Sequence, residues 1–195
     1  MSNLILASGS PYRKMLLQRL GIEFSCYSPD IDESHNPDEA PRKMAERLAR
    51  EKARLVAAKF PGAIVIGSDQ VAELNGTALG KPETHQRATQ QLQAQSGQVV
   101  LFHTGLALAQ QQPDDNIQEF YLVDTTDVSF RELSETQIDR YLKKEQPYDC
   151  AGSFKAEGLG ISLFLAVQSQ DPSSLIGLPL ISLCSALRDF GLEIL

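Results

Sequence analysis

The run Leu4-Ile5-Leu6-Ala7-Ser8-Gly9-Ser10-Pro11-Tyr12-Arg13-Lys14 requires an apolar strand to turn abruptly into a helix. Leu4–Ala7 has no polar residue, which predicts a buried strand. Ser10 suits an N-cap, and Pro11 suits the first helical position, where its missing N–H costs nothing. Arg13 and Lys14 then fall in the first helical turn, where the macrodipole disfavours cations. Positive charge therefore gathers beside unpaired backbone N–H groups, an arrangement suited to an anion such as phosphate. An ordinary strand-to-helix turn with solvated cations fits these residues equally well.

Downstream, the pattern alternates between strand and helix. Gly21 ends the first helix near Leu20, Glu23–Tyr27 predicts a short strand, and the polar segment Ser28–Ala40 reads as a loop. A long helix runs from Pro41 to about Phe60, stopped by Pro61-Gly62. Ala63–Ile66 predicts a strand that gives way at Gly67-Ser68-Asp69-Gln70, with pairing resumed over Val71–Leu74. Asn75-Gly76 marks a hairpin turn. A helix following Gly80-Lys81-Pro82 extends to about Gln95, and Gln98–Ala109 and Ile117–Phe130 read as two long strands. Ser134 and Gln137 form a capping box for a helix to about Lys144. Gly160–Val167 predicts a last strand and Leu178–Phe190 a last helix. The chain shows no internal repeat.

This order predicts an α/β fold with a mixed sheet, and 195 residues suffice for one domain spanning 1–195. A net charge of -7 argues against a nucleic-acid partner and requires any phosphate site to concentrate its cations locally. No apolar stretch is long enough for a membrane partner, and Met1-Ser2-Asn3 lacks the basic start of a signal peptide. Cys26, Cys150 and Cys184, odd in number and far apart, read as reduced thiols of a cytoplasmic protein.

Further candidate residues stand apart in sequence. Asp69 follows a buried strand, where ligands of open α/β sheets gather, and offers a general base or metal ligand; the plainer reading is a turn aspartate. Lys52 falls on the helical stripe of Met44, Leu48, Leu55 and Val56, so it must either be paired or snorkel to water. Glu46, Arg50 and Glu51 already supply a polar face, which favours pairing. Lys81 is presented from the rigid Gly80-Lys81-Pro82 turn as a phosphate contact or a solvated loop lysine. Asp30-Ile31-Asp32-Glu33 offers carboxylates to a divalent cation, or a plain surface loop. The segment Ala151–Gly158 reads as a ligand-facing loop or as a surface turn with Phe154 tucked into the core. The three histidines lack metal-ligand spacing, and neither a Walker A loop nor a Rossmann fingerprint occurs.

Taken in order, Ala7-Ser8-Gly9-Ser10-Pro11-Tyr12-Arg13, Glu33, Arg50-Glu51-Lys52-Ala53, Gly67-Ser68-Asp69, Gly80-Lys81-Pro82 and Gly177-Leu178-Pro179 resemble the Maf family of nucleotide pyrophosphatases. The resemblance covers nearly the whole chain. It implies an elongated mixed α/β fold with two lobes around a central cleft, similar to the inosine triphosphate pyrophosphatases. It also implies hydrolysis of nucleoside triphosphates to monophosphate and pyrophosphate, assisted by a divalent metal such as Mg or Mn.

Within the family the chain is most similar to the 7-methyl-GTP pyrophosphatases. The branch acting on dTTP and UTP has arginine in place of Tyr12, threonine in place of Gln70 and glutamine in place of Glu157. Tyr12 suits stacking on a cationic methylated guanine, and Glu157 suits offsetting its charge or accepting its N–H groups. The resemblance thus implies Asp69 as the base, Ser8, Arg13, Lys52 and Lys81 as phosphate holders, and Tyr12, Gln70 and Glu157 as specificity residues. Glu33 would ligate the metal. The alternatives are a dTTP/UTP pyrophosphatase, or a non-catalytic nucleotide-binding regulator of cell division. The expected partner is a nucleoside triphosphate, and a homodimer is an open assembly.

Overall fold

In the computed structural model, which describes residues 4–195, the opening apolar run forms β1 (Leu4–Ala7) and Ser10 caps α1 (Pro11–Gln18). Met1-Ser2-Asn3 lie outside the described residues. The following elements are β2 (Ser25–Cys26), α2 (Pro41–Lys59), β3 (Ile64–Leu74) and β4 (Thr77–Leu79). After them come α3 (His85–Gln95), β5 (Val99–Gln111), β6 (Ile117–Phe130), α4 (Glu135–Glu145), β7 (Phe164–Gln168) and α5 (Leu180–Asp189). The Ser134 capping box opens α4 as expected. Two expectations shift. Residues 159–163 wind into a short 3-10 helix, so the last strand starts only at Phe164. The break expected at Gly67–Gln70 is absent, and β3 runs without interruption from Ile64 to Leu74.

The sheet order is β2-β1-β3-β5-β6-β7, with β4 also on β3; β1 is parallel to β2 and β3, and the other pairings are antiparallel. Alternation along the strands sorts side chains onto the two faces. Leu4, Leu6, Ile64, Ile66, Leu106 and Leu108 pack with α1 and α5, while Ile5, Ala7, Val65, Ala107 and Ala109 pack under α2. A second core joins Phe102, Phe130, Phe154 and Phe164 with α3 and α4 in edge-to-face contacts. β3, β5 and β6 run through both halves.

The buried stripe of α2 is Ala45, Leu48, Ala49, Lys52, Ala53, Val56 and Ala57; Leu55, expected on it, is exposed. Alanines let the helix lie close against the sheet. A Cβ on Gly67 would stand 2.2 Å from the Ala49 carbonyl oxygen, and one on Gly105 2.2 Å from that of Ala45. These glycines are required by that approach.

Candidate active site

One edge of β3 is left open along part of its length. β1 pairs with it from Ile64 to Gly67, and β4 resumes pairing at Ala72. Ser68, Asp69, Gln70 and Val71 lie in the interval. A cleft of about 740 Å³ opens there, lined by the β1–α1 turn, Asp69, Lys81 and the loop 149–157. The two lobes are the parts of the sheet on either side of this interval.

Asp69 shares the α2 face of the sheet, opposite Gly105, and it is nearly buried. Lys52 meets it there, with Nζ 2.6 Å from Asp69 Oδ1 and 2.6 Å from Glu33 Oε1. The Lys52 side chain is only 9% exposed, so its ammonium is a paired core group and not a snorkelling one. Two of its three protons are committed, which leaves one for a ligand. Burial raises the Glu33 pKa, but the Lys52 hydrogen bond and the charges of Lys52, Lys81 and Arg13 outweigh it and hold the carboxyl below its usual range. The Glu33 loop is fastened to α2 by Arg47, which donates to both Glu39 carboxylate oxygens and to the Ser34 carbonyl.

Arg13 enters from the opposite face of the sheet. Its Nε donates to the Gly177 carbonyl at 2.9 Å, and Nη1 lies 3.5 Å from Ser8 Oγ. Burial lowers its pKa, countered by the charges of Asp69 and Glu33, so Arg13, Glu33 and Asp69 share one electrostatic neighbourhood. Ser8 is buried and accepts from the Ser10 N–H. Lys81 is exposed on the far lobe, without a hydrogen bond or ion pair among the described residues, and its charge is felt at Glu33 across the cleft.

Tyr12 also lines the cleft. Burial raises its pKa, and among the charges acting on it those of Lys155, Glu157 and Asp149 all belong to the opposite lobe. An aromatic face on one wall thus stands within electrostatic reach of carboxylates on the other. Cys150 sits beside them, its thiol pushed up to about 12 by burial and Asp149. Phe154 is not a ligand contact of the ordinary exposed kind; it is buried in the second core and anchors the loop that carries Lys155 and Glu157. Gln70 turns to the face opposite Asp69, with Nε2 3.0 Å from Thr104 Oγ1 and from the Ser174 and Leu175 carbonyls.

Sequence reasoning missed Arg47, Asp124, Asp149 and Ser174. Arg47 looked like one charge among many on a helix, and Ser174 carries no local motif. Only the paired strands and loops bring them near the site.

Among the described residues no group of three or more His, Cys, Asp or Glu side chains is arranged to hold a metal. Glu33 and Asp69 converge on Lys52, so oxygen donors from both are close together. Two carboxylates fit a hard divalent ion that takes its other ligands from phosphates and water.

Residues 3–190 match the family model described as Maf-like protein. A 7-methyl-GTP pyrophosphatase of Xanthomonas axonopodis pv. citri (strain 306) is 53% identical over 194 residues, covering 100% of both chains. The 7-methyl-GTP pyrophosphatase of Pseudomonas syringae pv. tomato is 54% identical over the same length, again 100% of both. A HAM1 protein from Coxiella burnetii shares the fold at 16% identity and a TM-score of 0.52, over 97% of this chain and 100% of that one.

Proposed function

The chain belongs to the Maf family, and we propose that it is a nucleoside triphosphate pyrophosphatase that converts 7-methyl-GTP to 7-methyl-GMP and pyrophosphate. The observation that carries the reading is Asp69, set on the open interval of β3, ion-paired to a buried lysine and facing a cleft with Arg13 and Lys81 on its walls. Binding alone would call for the cations; a carboxylate among phosphates serves chemistry. No helix among the described residues is long and apolar enough to cross a membrane, and the three unpaired cysteines favour a cytoplasmic setting.

In this reading Arg13, Lys52 and Lys81 hold the triphosphate, assisted by Ser8 and the first N–H groups of α1. Their positive charge offsets the electron density that builds on the phosphoryl oxygens. Lys52 fixes Asp69 through Oδ1, so Oδ2 is the oxygen presented to water. Asp69 takes a proton from that water as its oxygen bonds to the α-phosphorus. The α–β bridging bond breaks, and its electron pair leaves with pyrophosphate. Glu33 and Asp69 would hold a divalent cation, which supplies charge neutralisation on the phosphates. Tyr12 stacks on the methylated guanine, and Glu157 offsets its ring charge. Gln70 acts through the turn it supports.

The test is pyrophosphate release from 7-methyl-GTP, UTP, dTTP and CTP, with and without a divalent metal. Fastest turnover of 7-methyl-GTP is expected, and Asp69→Asn should lower it by about 10²–10⁴-fold while remaining folded. Equal or faster turnover of the pyrimidine nucleotides would point to a dTTP/UTP enzyme. Tight binding with no metal-dependent release would point to a regulator.

A further inference from the structure

The direction in which Arg13 offers its donors is set by a carbonyl 164 residues away in sequence. A guanidinium is planar, so a bond through Nε leaves its other N–H groups little freedom to turn. Ser68 Oγ lies 2.9 Å from the same Gly177 oxygen, and it and the turn that carries Gly177 together aim Arg13. The backbone at Gly177 has φ +124°, and a Cβ there would stand 3.5 Å from Arg13 Nε, so chain and guanidinium lie in close contact.

Three strands hold the turn that ends at Gly177. Gln70, Thr104 and Asp124 stand in register on β3, β5 and β6. Thr104 Oγ1 donates to the Ser174 carbonyl at 2.9 Å, Gln70 donates to the same oxygen, and Ser174 Oγ donates to Asp124 Oδ2. The Gly177 N–H returns to the Ser174 carbonyl at 2.9 Å and closes the turn. Ser174 and Thr104 are fully buried. Asp124 itself does not line the cleft. A carboxylate accepting from a buried hydroxyl makes a charge-assisted bond, stronger than the neutral ones around it.

We propose that Asp124 is a positioning residue, which fixes the Ser174–Gly177 turn and through it the Arg13 guanidinium. The proposal rests on the reading of Arg13 as a phosphate holder. Unlike Arg13, Asp124 would touch no substrate atom, so its removal should act only when Arg13 is present.

A double-mutant cycle with Asp124→Ala and Arg13→Ala tests this, read by kcat and KM for pyrophosphate release and by calorimetric binding of inorganic tripolyphosphate. Asp124→Ala should lower kcat/KM and tripolyphosphate affinity roughly ten-fold, carried by KM, the scale expected for loss of a hydrogen bond to a charged group. In the Arg13→Ala background the same change should cost less than about two-fold. Asp124→Asn, which keeps an acceptor, should restore most of the loss. If Asp124→Ala does not fold, Ser174→Ala removes the same bond and takes its place in the cycle. Equal losses with and without Arg13, or a folded variant with undiminished affinity, would overturn the proposal. Because tripolyphosphate binding needs no turnover, the cycle still decides if no nucleotide is hydrolysed, an outcome that would sink the pyrophosphatase reading instead.

Discussion

Replacing Lys52 by methionine keeps most of its volume and removes the ammonium that Asp69 and Glu33 share. Both carboxylates lie 2.6 Å from that nitrogen, so the variant leaves two negative groups facing one apolar side chain. Removing one partner of a buried pair costs about 3–5 kcal/mol. The Glu33 side chain is 53% exposed against 12% for Asp69, so water screens Glu33 and the cost falls mainly on Asp69. A loss of about 3 kcal/mol at pH 7 is therefore expected, read from urea unfolding with an unchanged m-value.

The sign with pH follows from the same contacts. In the wild type the depressed Glu33 carboxyl contributes stability above its unfolded pKa, about 4.3, and that contribution is lost as pH falls through the lower folded value. Lys52→Met removes the partner that holds the Glu33 carboxyl down, so only the wild type loses this contribution on acidification. The stability gap should accordingly stay level from pH 7 to about pH 4.3 and narrow below it. Adding Asp69→Asn to Lys52→Met should recover much of the loss at pH 7. A gap below about 1 kcal/mol at pH 7, or one that stays constant below about pH 4, would refute this account of Lys52 and its two carboxylates.

Two further outcomes test other parts of the structure. Gly67→Ala drives a methyl into the α2 backbone and should lower stability by at least about 1–3 kcal/mol, seen as a reduced urea midpoint. Tyr12→Ala should raise KM for 7-methyl-GTP by about 2–30-fold, the range of a cation–π contact, while Tyr12→Phe retains most of the affinity; a KM unaffected by Tyr12→Ala would remove Tyr12 from base recognition.

Local rules made the helices, the hairpin at Asn75-Gly76 and the capping box legible, because caps and turns depend on neighbours in sequence. The stripe of α2 was read from its large residues and was partly misplaced, since alanines carry the contact and only the two glycines beneath explain them. The break expected at Gly67–Gln70 failed for a related reason. Glycine, serine and aspartate suit a turn locally, but pairing with β5 along the whole segment holds them extended. Arg13, Lys52, Asp69 and Lys81 were nameable from motifs and now share one cleft. Their geometry was not nameable, because Glu33, Gly177 and the loop 149–157 reach it through long-range packing.

The strands β3, β5 and β6 belong to both hydrophobic cores, and this sharing governs how the molecule comes apart. Neither half can release its sheet without stripping the other of its central strands. Heat or urea should therefore meet one cooperative unit, although the core is divided, and those amides of Ser68–Val71 that point at β5 should exchange only when that unit opens as a whole. Asp69 thus rides on one of the last segments of the backbone to yield.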